Sequence, residues 1–235
     1  MKPKKFLPLI ILPTLIAFSG GISFAAVKGA SSETQSGSGV LQSSGQVNAP
    51  KGTPTWEIQE IERKMEEYDT SPNISAEQQA KNRKLKRDIL DGAFDLRELS
   101  KQALDKHWNN ISAAEQSNFV GLMTDLLETK AVFSKEQSKT RGKSYTVSYK
   151  GDQYFDKKSR AKTVTEIFIP KDNVRIDIVY QLKHNGNKWK VFDIVVDNAS
   201  LVENYRYQFN NIITKHGYSE LVSRMRNKLS ELRSQ

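Results

Sequence analysis

One aspartate and one tyrosine stand in apolar sequence, where acid–base chemistry could be carried out. Asp193 lies within the run KVFDIVV at 190–196, and Tyr180 alternates with apolar residues at 176–182. A carboxylate and a tyrosine in an apolar pocket serve as catalytic groups in several cone-shaped α+β folds. Asp193 and Asp197 are equally compatible with edge or solvent-facing positions of a strand. A small-molecule enzyme is therefore an alternative hypothesis and not the favoured one.

Most other reactive groups are missing from the sequence. The chain has no cysteine, which excludes disulfide bonds, thiolate metal sites, a cysteine nucleophile and a lipidated cysteine. The three histidines, His107, His184 and His216, do not have the spacing of a helical metal motif. Neither a glycine-rich phosphate loop nor a nucleophile elbow is present. We expect no catalytic residue, no metal site and no cofactor.

Residues 1–25 have the pattern of a secretory signal peptide. Three lysines precede an apolar stretch at 6–18, and Ser23-Phe24-Ala25 offers the small residues of a cleavage site. The stretch is shorter than the ~20 residues of a spanning helix, and two prolines interrupt it, so cleavage is favoured over a retained anchor. The sequence therefore predicts an exported protein.

The composition then changes twice along the chain. Residues 26–54 are rich in Ser, Gly, Gln and Thr with few large apolar side chains, which predicts a flexible, low-complexity leader. Residues 55–235 are long enough for one well-buried domain and have its apolar content. We expect a single folded unit from Thr55 to the C-terminus.

The charge balance is basic. The net charge is +9, and removal of the three signal-peptide lysines leaves 33 basic and 27 acidic residues, or +6. Such a surface attracts anionic partners. The clearest cluster is formed by Lys157, Lys158, Arg160 and Lys162, and it has two interpretations: the binding surface of a basic scaffold or adhesion module, or a solvated loop before a strand. Export disfavours nucleic acid as a partner.

The first half of the domain has helical periodicity. Apolar residues recur at three- and four-residue spacing from Ile58 to Tyr68 and from Leu96 to His107. A capping box of Ser112 and Glu115 predicts a further helix. The more polar stretch 74–93 contains a basic cluster at 81–87, which we interpret as a solvated helix face.

The second half changes to strand periodicity and returns to helices. Alternating apolar residues at 145–149, 176–182 and 189–196, with Asn185-Gly186 as a turn, predict an antiparallel meander. Both parities are apolar at 190–196, which predicts burial on two faces. A second capping box, Ser200 to Glu203, and Gly217 delimit a helix that is followed by one more. The predicted fold is α+β: N-terminal helices, a four-stranded curled antiparallel sheet forming a cone of the NTF2-like type, and two C-terminal helices around an apolar cavity.

One segment resembles a known family closely. WKVFDIVVD at 189–197, with SLV at 200–202 and NYRYQF at 204–209, is similar to the most characteristic stretch of the MlaC family. That family is the periplasmic phospholipid-binding component of the Mla ABC transport system, also called toluene-tolerance auxiliary proteins. Further matching residues occur in the same order as in the family: Phe94-Asp95, Trp108 and Gly217-Tyr218. The resemblance extends from about Thr55 to the C-terminus.

The resemblance implies a periplasmic carrier that is not an enzyme. It would shuttle phospholipid, as cargo and not as a cofactor, between an outer-membrane lipoprotein complex and an inner-membrane ABC transporter, and so act in outer-membrane lipid asymmetry and toluene tolerance. A ~16-carbon tail gains on the order of 12 kcal/mol by leaving water. A carrier must therefore enclose its acyl chains almost completely.

Ten residues of the sheet and helices are candidates for the lipid-binding lining. Each is equally compatible with an ordinary core position, because sequence identifies a buried face but not what covers it. The candidates are Phe119, Leu122, Leu126, Ile176, Ile178, Tyr180, Val191, Val195, Tyr205 and Phe209. Arg206, beside Tyr205, is expected to pair with Asp193 or Glu203 in preference to a lipid phosphate.

Overall fold

The computed structural model describes residues 49–65, 67–69, 71, 73–130 and 145–234. The predicted signal peptide, 1–25, and most of the predicted leader, 26–54, lie outside these ranges. Among the described helices, none combines the length and the apolar character that a membrane crossing requires.

Four α-helices precede the sheet. They are α1 (Pro54–Met65), α2 (Ala76–Ala93), α3 (Leu96–Leu104) and α4 (Ala113–Lys130), with a 3-10 turn at Asp105–Asn110. The predicted capping box starts α4. The Ser112 amide donates to Glu115 Oε2 at 2.8 Å, and the Glu115 amide donates to Ser112 Oγ at 3.3 Å. These two bonds satisfy donors that the first helical turn would otherwise leave open.

The sheet is a single antiparallel meander. Its strands are β1 (Thr146–Phe155), β2 (Arg160–Ile169), β3 (Val174–His184), β4 (Trp189–Val196) and β5 (Ala199–Ser200), in that spatial order. The four long strands confirm the predicted meander, and β5 adds two residues to the edge of β4. Gly186 has a φ of 87° in the β3–β4 loop, where the sequence placed a turn.

Two helices complete the chain: α5 (Leu201–His216) and α6 (Tyr218–Arg233). The Ser200 hydroxyl accepts a hydrogen bond from the Glu203 amide at 3.0 Å and so caps α5. Gly217, with a φ of 85°, ends α5, and its amide donates to the Ile213 carbonyl at 2.9 Å. The α+β fold expected from the sequence is confirmed.

One face of the sheet is buried beneath helices. Alternate residues of β2 and β3 are buried, as the two-residue period of a strand requires. Helix α1 lies on this inner face, where the Thr55 and Thr163 hydroxyls both donate to Asp152 Oδ1, at 2.7 and 2.6 Å. Strand β4 is buried on both faces, as predicted. Helices and sheet therefore share one continuous apolar core.

Candidate functional site

The ten candidate lining residues fall into two groups. Leu122 and Val195 are half-buried. The other eight are at most 3% exposed and belong to the continuous core: Phe119, Leu126, Ile176, Ile178, Tyr180, Val191, Tyr205 and Phe209. The interior is closed around these eight side chains, and their role in lining a ligand pocket stays a prediction.

A series of aromatic rings leads from this interior to the surface. Tyr205 and Phe209 of α5 are stacked with their ring centroids 5.4 Å apart. Phe209 meets Phe119 of α4 edge-on at 5.7 Å, and Phe119 meets Tyr218 of α6 at 6.3 Å. Tyr205 is fully enclosed, and burial raises the pKa of its hydroxyl. The series thus joins the core to the half-buried ring of Tyr218.

A cavity of about 430 Å³ opens where that series reaches the surface. It lies between α4 and α6 and falls within the ~300–1,000 Å³ range of small-molecule pockets. Phe119 and Leu122, two of the candidates, form part of its wall. Helix α4 also contributes Glu115 and Asn118, and helix α6 contributes Tyr218, Ser219, Val222 and Arg226.

Helices α4 and α6 are parallel, and contacts at both ends of the cavity hold them side by side. The Tyr218 hydroxyl donates to the Glu115 carbonyl at 3.5 Å, and Arg233 Nη2 donates to Asp125 Oδ2 at 3.1 Å. Between these contacts the four-residue spacing of α6 directs Val222 to the same side as Tyr218, where it adds an apolar group to the wall. The cavity is thus a slot between two fixed ends, with apolar groups from Phe119, Leu122 and Val222 beside polar ones.

The slot has polar groups at its rim. Ser112 donates two hydrogen bonds to the Glu115 carboxylate and holds its pKa below the usual range, so this carboxylate is charged at neutral pH. Two other arginines of α6, Arg224 and Arg233, pair with Glu220 and Asp125. Within the described ranges Arg226 forms no such ion pair, so its guanidinium is available to an anion at the slot.

The possible catalytic pair is not brought together. Tyr180 pairs across the sheet with Ile194, while Asp193 pairs with Gln181. Because side chains alternate along a strand, Tyr180 faces α1 and Asp193 faces the opposite side. No single pocket can therefore hold both groups as acid and base.

Asp193 has a structural role instead. Its carboxylate accepts hydrogen bonds from Ser200 Oγ at 2.7 Å, from the Val202 amide at 3.0 Å and from Gln181 Nε2 at 3.0 Å. Burial raises the pKa of Asp193, and the hydrogen bonds from Val202 and Ser200 oppose the rise. The side chain joins the sheet to the first turn of α5.

The expected pairing of Arg206 was wrong. Arg206 Nε donates to the Gln102 carbonyl at 3.0 Å and so links α5 to α3. Asp193 is already occupied by donors at the start of α5, and Arg206 lies one turn further along that helix. Position on the helix, and not charge, decides this contact.

Sequence reasoning missed a buried polar pair on the inner face. The Tyr149 hydroxyl of β1 donates to the Glu62 carboxylate of α1. Glu62 stands four residues after Ile58 and three before Met65, on the face that these apolar residues bury. That spacing was the available signal. Across the described ranges, no cluster of three or more His, Asp or Glu residues is arranged to hold a metal ion.

Comparison with known proteins identifies a family and similar solved structures. The family model for MlaC protein matches residues 59–227. The fold is similar to the structure of a phospholipid-binding protein from Ralstonia solanacearum solved in complex with a phospholipid, with a TM-score of 0.58 and 17% sequence identity over 75% of this chain and 97% of that chain. Among curated protein sequences, none matches. At this identity the structural likeness concerns the fold.

Proposed function

Because this chain belongs to the MlaC family, we propose that it is a phospholipid carrier whose acyl chains enter the slot between α4 and α6 and continue into the apolar interior. The MlaC family is periplasmic and consists of lipid-binding carriers, not enzymes. The observation that carries the proposal is the position of Phe119. Its ring is part of the slot wall and also packs against Phe209 in the core.

The slot offers an entry that does not require the sheet to separate from α1. An acyl chain between α4 and α6 first contacts Phe119, Leu122 and Val222, which already face the cavity. A change in the Phe119 ring would then expose Phe209 and Tyr205 behind it. At ~0.8 kcal/mol per buried methylene, each further carbon favours deeper insertion. The ten candidate residues would line the filled pocket.

Arg226 suits the headgroup end of such a lipid. A phosphodiester at the rim would bring an anion to a guanidinium that has no carboxylate partner among the described residues. Tyr218 and Ser219 add hydroxyl groups at the same rim. The phosphate would remain near solvent while the tails are enclosed, which satisfies both parts of an amphiphile.

The finer role follows from the family. We infer that the chain is exported by its signal peptide, residues 1–25, and carries phospholipid between an outer-membrane lipoprotein complex and an inner-membrane ABC transporter. Transfer would need no energy from the carrier itself, because tails that leave its pocket enter an equally apolar environment.

Lipid extraction with native mass spectrometry tests the proposal. The protein is expressed in a bacterial host and purified without detergent, and phospholipid at a fixed molar ratio is the expected result. Leu122→Trp fills the slot and should reduce bound phospholipid to below about a tenth. Ser117→Trp, on the exposed side of the same helix, is the matched control and should retain it. Lipid-free wild-type protein, or equal lipid in both variants, would contradict the proposal.

A further inference from the structure

The two hairpin turns at one end of the sheet form a common surface. The β1–β2 turn, 156–159, and the β3–β4 loop, 185–188, lie side by side, because the His184 amide donates to the Ser159 carbonyl at 2.9 Å. We call this surface the hairpin end and define it by Tyr154, Phe155, Lys157, Lys158, Lys162, His184, Lys188 and Trp189. It lies outside the slot between α4 and α6.

Aromatic rings project on both sides of the first hairpin. Tyr154 and Phe155 are consecutive in a strand and therefore point to opposite faces, and they are 41% and 37% exposed. Tyr154 packs against Trp189, with ring centroids 5.7 Å apart, and Trp189 packs against His184 at 5.0 Å. On the other face Lys162 Nζ lies 5.6 Å from the centroid of Phe155. The hairpin is a wedge with an aromatic group on each side.

The apex of this wedge is basic and has an unusual backbone. Asp156, Lys157 and Lys158 have φ angles of 48°, 55° and 66°, three consecutive non-glycine residues in the left-handed region. L-residues adopt this region at a conformational cost that glycine or asparagine would avoid or reduce. Both lysine side chains are exposed. The turn therefore presents two lysine side chains at its apex.

Few carboxylates neutralise the hairpin end. Asp156 pairs with Arg160 at 3.5 Å. Glu57 is close enough to Lys188 and His184 for both to lower its pKa, although burial has the larger effect and raises it. Within the described part of the chain, Lys157, Lys158 and Lys162 form no ion pair. Glu98 adds a third carboxylate, which pairs with Arg160 at 2.9 Å and with Lys183 at 2.8 Å. Counting Arg160, Lys183 and Lys188, six cations therefore face three carboxylates, a local charge of +3.

The basic cluster of α2 shows the contrasting arrangement. Lys81 pairs with Glu77, Lys84 with Asp88, and Arg87 with Asp91, Asp125 and Glu128. Those three cations have carboxylate partners within the protein, and the interpretation of 81–87 as a solvated helix face stays a prediction. Within the described ranges, Lys157, Lys158 and Lys162 have no comparable carboxylate partners.

We propose that the hairpin end docks on the surface of an anionic lipid bilayer. Lysines near such a surface are attracted to its phosphates, and aromatic rings locate at the boundary between headgroups and acyl chains. Tyr154 and Phe155, which are exposed on the two sides of the hairpin, can enter that boundary while the lysines at the apex remain at the phosphates. Docking would bring the carrier to a membrane independently of its cargo.

Vesicle co-sedimentation tests this proposal. The exported protein, purified without residues 1–25, is mixed with phosphatidylcholine vesicles that contain or lack phosphatidylglycerol. We expect binding only to the anionic vesicles, with strong weakening by ~0.5 M salt. Each lysine contributes about fivefold, so Lys157→Glu with Lys158→Glu should reduce partitioning by about twentyfold or more. Tyr154→Ser with Phe155→Ser should weaken binding that persists at high salt.

A matched charge reversal is the control. Lys101→Glu with Lys106→Glu changes two exposed lysines elsewhere by the same net charge and should leave most binding intact. Equal loss in both double variants, or equal wild-type binding to neutral vesicles, would overturn the proposal. An absence of vesicle binding would also overturn it. If the lysine variant then bound an acidic protein more weakly than the wild type, that class of partner would replace the bilayer. Bound phospholipid is measured as well. A wild-type protein that docks on vesicles but contains no phospholipid would count against the carrier function and not against docking.

Discussion

The closed interior and the open slot are built from the same residue types but differ in what covers them. In the interior, Tyr180, Ile178 and Phe209 are fully enclosed by strands and helices. In the slot, Leu122 and Val222 are half-buried and face a cavity of about 430 Å³. Phe119 belongs to both regions. An apolar side chain therefore acts as core or as cavity wall according to its neighbours on the next helix.

This difference separates stability from binding. Enclosed side chains contribute packing and the burial of apolar surface, so their loss should be measured mainly as unfolding. Side chains at the slot have fewer protein contacts to lose. Substitutions there should therefore mainly change the amount of bound phospholipid. Variants of the slot should consequently change the ligand content with little effect on stability, whereas variants of the interior, which would line the filled pocket, should first of all lower stability.

The largest effect is expected from the interior. Phe209→Ala removes a ring that packs against both Tyr205 and Phe119. The free energy of unfolding should fall by about 3–5 kcal/mol, because both the transfer energy and the cavity contribute. Chemical denaturation measures this value. A loss below about 1 kcal/mol would mean that Phe209 already borders empty space, and the distinction between the two regions would fail.

A smaller effect is expected at the rim of the slot. Arg226→Gln keeps a polar side chain but removes the charge, and because the site is solvated it should cost about 0.5–1 kcal/mol of lipid affinity. That is a two- to fivefold increase in the dissociation constant, which is measured as bound phospholipid at a sub-saturating lipid concentration. The melting temperature should not change. Arg224→Gln, two residues earlier in α6 and paired with Glu220, is the control and should leave the lipid content at the wild-type level.

The smallest effect is a stabilisation. Gly121 lies within α4 beside Leu122, and a Cβ added there would meet no atom within 4 Å. Gly121→Ala should raise the free energy of unfolding by about 0.5–1 kcal/mol, since alanine loses less backbone entropy in a helix. Thermal unfolding checks the sign, and lipid content should be unchanged. A decrease in lipid content would show that binding requires α4 to bend at Gly121.

Much of the fold follows from local sequence signals. The capping residues Ser112 and Ser200 start helices where their spacing predicted, and Gly217 ends one. The two-faced apolar pattern of 190–196 predicted the double burial of β4. Such signals depend on hydrogen bonds and burial within a few residues, and sequence alone therefore reports them well.

The site depended on contacts between distant segments. Val222 and Arg226 have an ordinary helical pattern, and only the placement of α6 beside α4 gives them a cavity to face. Arg206 could be assigned a carboxylate partner by charge, but its contact with Gln102 is set by the packing of α5 on α3. Periodicity in the sequence identifies a buried face but does not say which helix or strand covers it.

Photocrosslinking from the slot tests the central claim most directly. The photoreactive residue p-benzoylphenylalanine is placed at Leu122, and at Ser117 as the control on the exposed side of α4. The protein is irradiated after detergent-free purification and analysed by mass spectrometry. Entry of acyl chains between α4 and α6 predicts a phospholipid adduct at Leu122 and none at Ser117. Phospholipid that co-purifies but forms no adduct at Leu122 would contradict this path.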